Sequence, residues 1–255
     1  MGIFSAIGSF ISGVCSVVSS ICSAIGLGAI GNLLTVAITA LNPLLGLILA
    51  ALPLVCKILE SLAPKEVDPE EIESGELAVK AEVCQDIKSE NYKTYSEYIK
   101  AVREEVARDP SKRALVDEKM KNRTEVDENA HKMVSIAMAG KIISEKLDID
   151  YVDPILLGKL NACGFDADKT VKFFKESKDL GLSTTNISKY FDRGGGLSTK
   201  DYERADENIR AALGKVDPSL KTDEQRIVAL NGMHGKINDA LSKDQAVKNI
   251  ENASS

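Results

Sequence analysis

A chain of 255 residues with 38 acidic and 32 basic side chains carries a formal net charge of −6 and a pI near 5.2. That length suits one or two domains, and the acidic balance argues against general polyanion binding, so nucleic acid is an unpromising partner. The mean hydropathy of −0.07 averages two unlike parts: Met1 to Cys56 contain no Asp, Glu, Lys, Arg or His, and the remainder is about one-third charged.

The first predicted element is a helix from Ile3 to Ile25. Ser5, Ser9, Ser12, Ser16, Ser19 and Ser23 recur at steps of four and three and share one stripe. Ile3, Phe4, Ile7, Phe10, Ile11, Val14, Val17, Val18, Ile21 and Ile25 form the opposite, bulky face. Such a helix is expected to show the bulky face to lipid and to pack its serine stripe against another helix, where small side chains permit close approach and hydroxyls bond across. At 1.5 Å per residue it spans roughly 34 Å, comparable to a hydrocarbon core of about 30 Å. The segment lacks the positively charged start of a signal peptide, and its hydrophobicity continues to Leu59, so cleavage is not expected. Ala6 stands where N-myristoylation wants Ser or Thr.

Gly26, Gly28 and Gly31 punctuate the run before a second apolar segment, Ala29 to Leu59, broken at Asn42-Pro43 and at Pro53. A helical hairpin with kinks at Pro43 and Pro53 is the simplest reading. Thr35, Thr39 and Asn42 offer hydrogen-bond partners to the serine stripe, and Lys57, Glu60 and Lys65 mark the return to water. Within this block Gly2 to Gly13, GIFSAIGSFISG, resembles in physical type the glycine-rich fusion peptide of influenza-type haemagglutinins and amphipathic antimicrobial peptides. The resemblance covers a dozen residues and implies a segment able to enter a bilayer from water.

Residues 63–76 hold two prolines and are dominated by acidic side chains, which predicts a linker. Beyond it the periodicity is helical. Thr94 is placed to cap a helix with Tyr95, Tyr98, Ile99, Val102 and Val106 on one face, ended by Asp109-Pro110. Ser111 is expected to open the next. Thr124 opens a longer one carrying Val126, Ala130, Met133, Val134, Ala137, Ile142 and Leu147. Asp153-Pro154 opens a short helix closed by Gly164, and Asp166 another that runs through Phe173 and Phe174 to Gly181. Ser198 opens one ending at Leu213-Gly214, and Thr222 or Asp223 begins the last, with Ile227, Leu230, Ile237 and Leu241 on one face. Residues 249–255 are expected to fray.

Candidate chemistry is sparse. The five cysteines, Cys15, Cys22, Cys56, Cys84 and Cys163, fit neither a zinc site nor a compact disulfide framework and read as small apolar residues. There is no Trp for an interfacial belt. His131 follows Asp127 by four residues, a spacing for a ligand pair or, more commonly, a solvated ion pair. His234 sits between two glycines, where a helix interruption is the simplest account. Asp148, Asp150 and Asp153 begin like a calcium loop, but the sixth and twelfth positions hold Asp153 and Lys159, not Gly and Glu. Gly194-Gly195-Gly196 lacks the Lys-Ser/Thr of a phosphate loop. Val171 to Phe191 has the outline of a helix-turn-helix unit that would present Thr184, Thr185, Asn186, Ser188 and Lys189, without the basic stripe that DNA phosphates require.

These signals predict an all-α, non-enzymatic chain. A hydrophobic hairpin over 1–62, membrane-inserting or buried in an assembly, precedes a linker over 63–76. A soluble domain of short helices follows over 77–248, then a disordered tail over 249–255. The expected function is membrane insertion with self-association and permeabilisation, as in a toxin, secreted effector or penetration protein delivered to a membrane. The alternatives are a structural subunit with the hairpin buried between copies, as in a virion, tube or secretion apparatus, and a membrane-tethered helix-turn-helix regulator. The expected partners are a lipid bilayer, further copies of the chain, and a protein bound by the soluble domain. No cofactor or metal is called for.

Overall fold

The computed structural model describes residues 44–64, 66–192 and 195–253, with side chains described up to Ser242. The membrane-facing set from Ile3 to Ile25, the serine seam from Ser5 to Ser23 and the kink at Pro43 lie outside the described residues. Among those described, the fold is all-α, without strands.

Two helices open it: α1 (Leu45–Leu49) and α2 (Leu52–Leu62). Pro53, in the first turn of α2, has no N–H for the carbonyl of Leu49, so the chain passes through a turn at Ala50 and Ala51 before winding on. Both alanines keep right-handed helical dihedrals, and neither helix has a side-chain cap at its start. This pair does not stand apart from the charged portion as the second leg of a separate hairpin. Ile48, Val55 and Ile58 are fully buried in the same core as the helices over 125–147, 154–162 and 167–179. The expected boundary at residue 62 therefore falls inside a packed core, because a run apolar enough for lipid is also apolar enough for a protein interior.

The stretch expected as a linker is only partly loop. Asp68 accepts the Glu70 N–H at 3.0 Å and caps α3 (Pro69–Ser74), whose Ile72 is fully buried. Gly75, at φ +77°, joins it to α4 (Glu76–Val83). A Cβ there would stand 2.8 Å from the backbone N of Lys132, so only glycine lets this corner sit on the helix that carries Lys132.

A short 3-10 turn, Ser89–Asn91, leads to α5 (Tyr95–Arg108), capped by Thr94 as its sequence indicates. Asp109, not Ser111, opens α6 (Pro110–Asn122): its carboxylate accepts the N–H groups of Ser111 and Lys112, and Pro110 fits the first helical position. Thr124 and Asp127 form a reciprocal capping box at the head of α7 (Glu125–Leu147). Val126 is not part of its buried face but 53% exposed. From Met133 to Ile143 the only charge on α7 is Lys141; being apolar nearly all round, α7 forms the axis on which α1, α2, α3, α4, α5, α8 and α9 pack.

The second half follows the expected caps. Asp153 heads α8 (Pro154–Ala162), Asp166 heads α9 (Ala167–Asp179), Ser183 heads α10 (Thr184–Phe191) and Ser198 heads α11 (Thr199–Val216). Gly164 and Gly181, at φ +82° and +70°, end α8 and α9 as the sequence implies. Gly214 does not end α11, which continues one turn-fraction further to Val216. The last helix, α12 (Asp223–Ala253), reaches well into the stretch expected to fray. Packing is close at two interior glycines. A Cβ on Gly140 would lie 2.2 Å from the Val152 carbonyl oxygen, and one on Gly158 would lie 2.7 Å from that of Leu47. α8 is thereby drawn onto α1, and α7 onto the loop before α8.

Candidate functional site

Of the residues assigned to the membrane-active element by sequence, Pro53 is the one that falls among the described residues. The stretch around it, Leu45–Leu62, is long and apolar enough to cross a bilayer by length and composition, with a mean hydropathy of 2.0 over 18 residues, of which 44% are buried. Its outer side carries Gly46, Ala50, Pro53, Lys57, Glu60 and Ser61, so charge reaches water only in the last two turns. In this fold the segment is a core element and the point at which the charge-free block enters the folded domain.

A second feature was not legible in the sequence. A groove of about 810 Å³ lies beside α3, α5 and α7, lined by Glu66, Glu71, Arg103, Glu145 and Lys146 among others. Glu71 is buried, and its Oε1 accepts Lys80 Nζ at 2.8 Å and Arg103 Nε at 3.0 Å. Burial alone would lower the Lys80 pKa, but the hydrogen bonds it donates to Glu71 and Glu76 raise it on balance. Burial would likewise raise Glu66, and the Lys146 ammonium holds it below the usual carboxylate range. Glu145 Oε2 accepts the backbone N–H groups of Tyr95 and Ser96 at 2.7 and 3.2 Å, placing an anion on the N-terminus of α5. These charges tie α3, α5 and α7 together, and the Ser96 hydroxyl lies in the same groove beside the Glu66 carboxylate.

The histidines have packing roles. His131 is buried, and its Nε2 lies 3.4 Å from Glu82 Oε2 on α4, while Asp127 is engaged in the capping box; the partner is across the helix interface, not four residues back. Glu82 also accepts Lys119 at 3.1 Å, and these bonds, His131 first, keep its carboxyl below the ordinary range. His234 does not interrupt α12 but lies in an aromatic cluster, 5.3 Å from Tyr190 and 5.6 Å from Phe191 between ring centroids. Tyr190 also stacks on Tyr202 at 4.8 Å and donates to Asp206 Oδ1 at 2.5 Å; burial and that carboxylate push its phenol strongly upward.

The remaining motifs dissolve into local structure. Asp148 is a left-handed helix cap at φ 51° paired with Lys178, and Asp153 is the cap of α8. Among the described residues no group of three His, Cys, Asp or Glu converges as metal ligands would. Gly196 takes a left-handed turn at φ +84° before the Ser198 cap. The helix-turn-helix outline exists in α9 and α10, with its expected face only partly open: Thr184 and Ser188 are buried, the Thr184 hydroxyl donating to the Tyr151 carbonyl at 2.8 Å, while Thr185 is exposed and Asn186 and Lys189 are half-buried. A side chain turned into the core cannot reach a base edge. No family model, curated protein or solved structure matches the chain.

Proposed function

We propose that this protein acts on membranes without enzymatic chemistry. Its charge-free N-terminal block enters a bilayer as a helical hairpin and self-associates along the serine stripe, while the helical domain remains in water and regulates or recruits. The observation that carries this reading is that no Asp, Glu, Lys, Arg or His precedes Lys57. The residues before Leu44 are thus a long uncharged segment, and lipid is the surroundings such a segment fits best. A toxin, secreted effector or penetration protein has this division of labour. Burial of the same segment between copies of the chain is the second reading, favoured by the serine stripe, which suits helix packing in either setting.

The test is dye release from liposomes by the full-length protein beside a Ser12→Leu, Ser16→Leu variant and an Ile7→Lys, Val14→Lys variant. Binding with release in the parent, release lost in the serine variant and binding lost in the lysine variant support insertion with a working seam. Binding without release in the parent reduces the function to anchoring. Failure of the parent to bind overturns the membrane reading and favours the assembly.

A further inference from the structure

The groove beside α3, α5 and α7 offers more acceptor oxygens than its own donors engage. Glu71 lines it and is only 7% exposed, yet one oxygen makes all of its bonds. Oε1 accepts Lys80 Nζ and Arg103 Nε, whereas Oε2 is buried and accepts no hydrogen bond from the protein. In the same groove Glu66 Oε1 accepts Lys146 Nζ at 2.5 Å, and Glu66 Oε2 is buried with no partner at bonding distance. Buried carboxylate oxygens are ordinarily paired, so two such atoms in one groove mark a place for a donor. The cations that line the groove are already engaged: Lys80 with Glu71 and Glu76, Arg103 with Glu71, Lys146 with Glu66, and Lys100 with Glu104 at 3.7 Å. Glu97 and Glu145 bring the lining to five carboxylates against four cations, and Ala107 is its one apolar side chain. The site therefore suits a cation of high charge density and offers little to an anion or to a largely apolar ligand.

We propose that this groove binds an aliphatic di- or polyamine, one ammonium of which replaces Arg103 on Glu71. Neither Oε2 touches solvent as the side chains stand, so a ligand reaches Glu71 by displacing a neighbour. Arg103 is the neighbour with a way out: its side chain is 31% exposed, against 12% for Lys80. Its guanidinium meets only one oxygen of Glu71, with Nη1 donating to the Glu66 carbonyl at 3.2 Å. An ammonium is compact and carries three donors, which lets it bond both oxygens of Glu71 and leaves one donor for Glu66. One cation takes the place of another, so the buried carboxylate keeps a counter-charge in both states. A second ammonium on the same chain meets Glu97 and Glu104, exposed carboxylates seven residues apart on α5, roughly 10 Å along its axis. The groove's volume of about 810 Å³ is within the range of small-molecule sites.

The test is isothermal titration calorimetry of the full-length protein with spermidine, beside n-butylamine and Mg²⁺ at equal ionic strength. Saturable one-to-one binding of spermidine is expected, at least about tenfold tighter than either control. Arg103→Met removes the competing cation and should tighten spermidine binding about tenfold. Lys93→Met, the same charge change at an exposed position outside the groove lining, should alter it by less than about twofold. Glu71→Gln should weaken it at least about tenfold. Circular dichroism checks that each variant is folded; if Glu71→Gln is not, the comparison of Arg103→Met with Lys93→Met decides. Spermidine binding no tighter than that of n-butylamine or Mg²⁺, or absent altogether, overturns the proposal. So does equal tightening in Arg103→Met and Lys93→Met, or undiminished binding in a folded Glu71→Gln variant.

Discussion

Gly140→Ala tests the packing at the centre of the molecule. The added methyl would lie 2.2 Å from the Val152 carbonyl oxygen, a backbone atom with little freedom to move. The Ser144 hydroxyl clamps the same two strands of chain: it donates to the Gly140 carbonyl at 2.6 Å and accepts the Val152 N–H at 2.8 Å. Forcing them apart costs about 1–3 kcal/mol of overpacking, plus about 1 kcal/mol for the loosened hydrogen bond. Alanine returns about 1 kcal/mol of helix propensity, so the net destabilisation is about 1–3 kcal/mol. At about 2–4 °C per kcal/mol for a domain of this size, the melting temperature falls by about 2–12 °C. Gly232→Ala is the internal contrast: with nothing near its added Cβ, it gains propensity alone and stabilises by up to about 1 kcal/mol. Thermal and urea unfolding followed by circular dichroism read both. A Gly140→Ala protein as stable as the parent would refute the close approach of α7 to the loop before α8.

Two further predictions concern charge. Lys159 on α8 pairs with Asp192 at the end of α10, with only 2% and 4% of the side chains exposed, so Lys159→Met takes the ammonium away from a buried carboxylate and costs about 3–5 kcal/mol. The Lys159→Met, Asp192→Leu double variant should recover most of the lost urea midpoint; a single variant as stable as the parent would mean the pair is not buried. Glu82 titrates below the ordinary glutamate value near 4.3, so its stabilisation is complete above that pH and is lost as pH falls through the lower folded value. The stability gap between the parent and Glu82→Gln should therefore narrow as pH falls below the ordinary glutamate value near 4.3 in a urea titration series. A gap that widened on acidification would contradict it.

The helix starts were readable because each cap is written in one or two adjacent residues: Thr94, Thr124, Asp153, Asp166 and Ser198 all accept the backbone N–H groups their positions imply. Asp109 shows where local reading slips, since it and Ser111 are both able caps and the decision falls to Pro110, which suits the first helical turn. The cluster joining Glu71, Arg103 and Glu145 was hidden because its members are far apart in sequence and only the packing of α3, α5 and α7 brings them together. The course of Leu45–Leu62 was ambiguous for a deeper reason. Lipid and protein interior make the same demand on a side chain, so hydropathy identifies a dry segment without saying what dries it.

That ambiguity has an energetic answer, which fixes where an inserted segment should end. Seven fully or nearly fully buried aliphatic residues, Leu44, Leu47, Ile48, Leu54, Val55, Ile58 and Leu59, anchor α1 and α2. In lipid these two helices would regain apolar surroundings, but the faces of α7, α8 and α9 that they abandon would meet water. At about 1.5–3 kcal/mol for each large aliphatic contact surface, that loss is about 10–20 kcal/mol, as large as the whole stability of an ordinary domain. Insertion should therefore stop before Leu44 and leave the domain folded. Cys84 and Cys163 report on this: both are buried, and burial pushes their thiols up to about 11 and about 12, so a thiol reagent reaches them only when the core opens. Their labelling rates in vesicle-bound protein should equal those in solution. A rise on binding would show that α1 and α2 leave the core with the segment before them, and the helical domain would then be part of the inserting machinery.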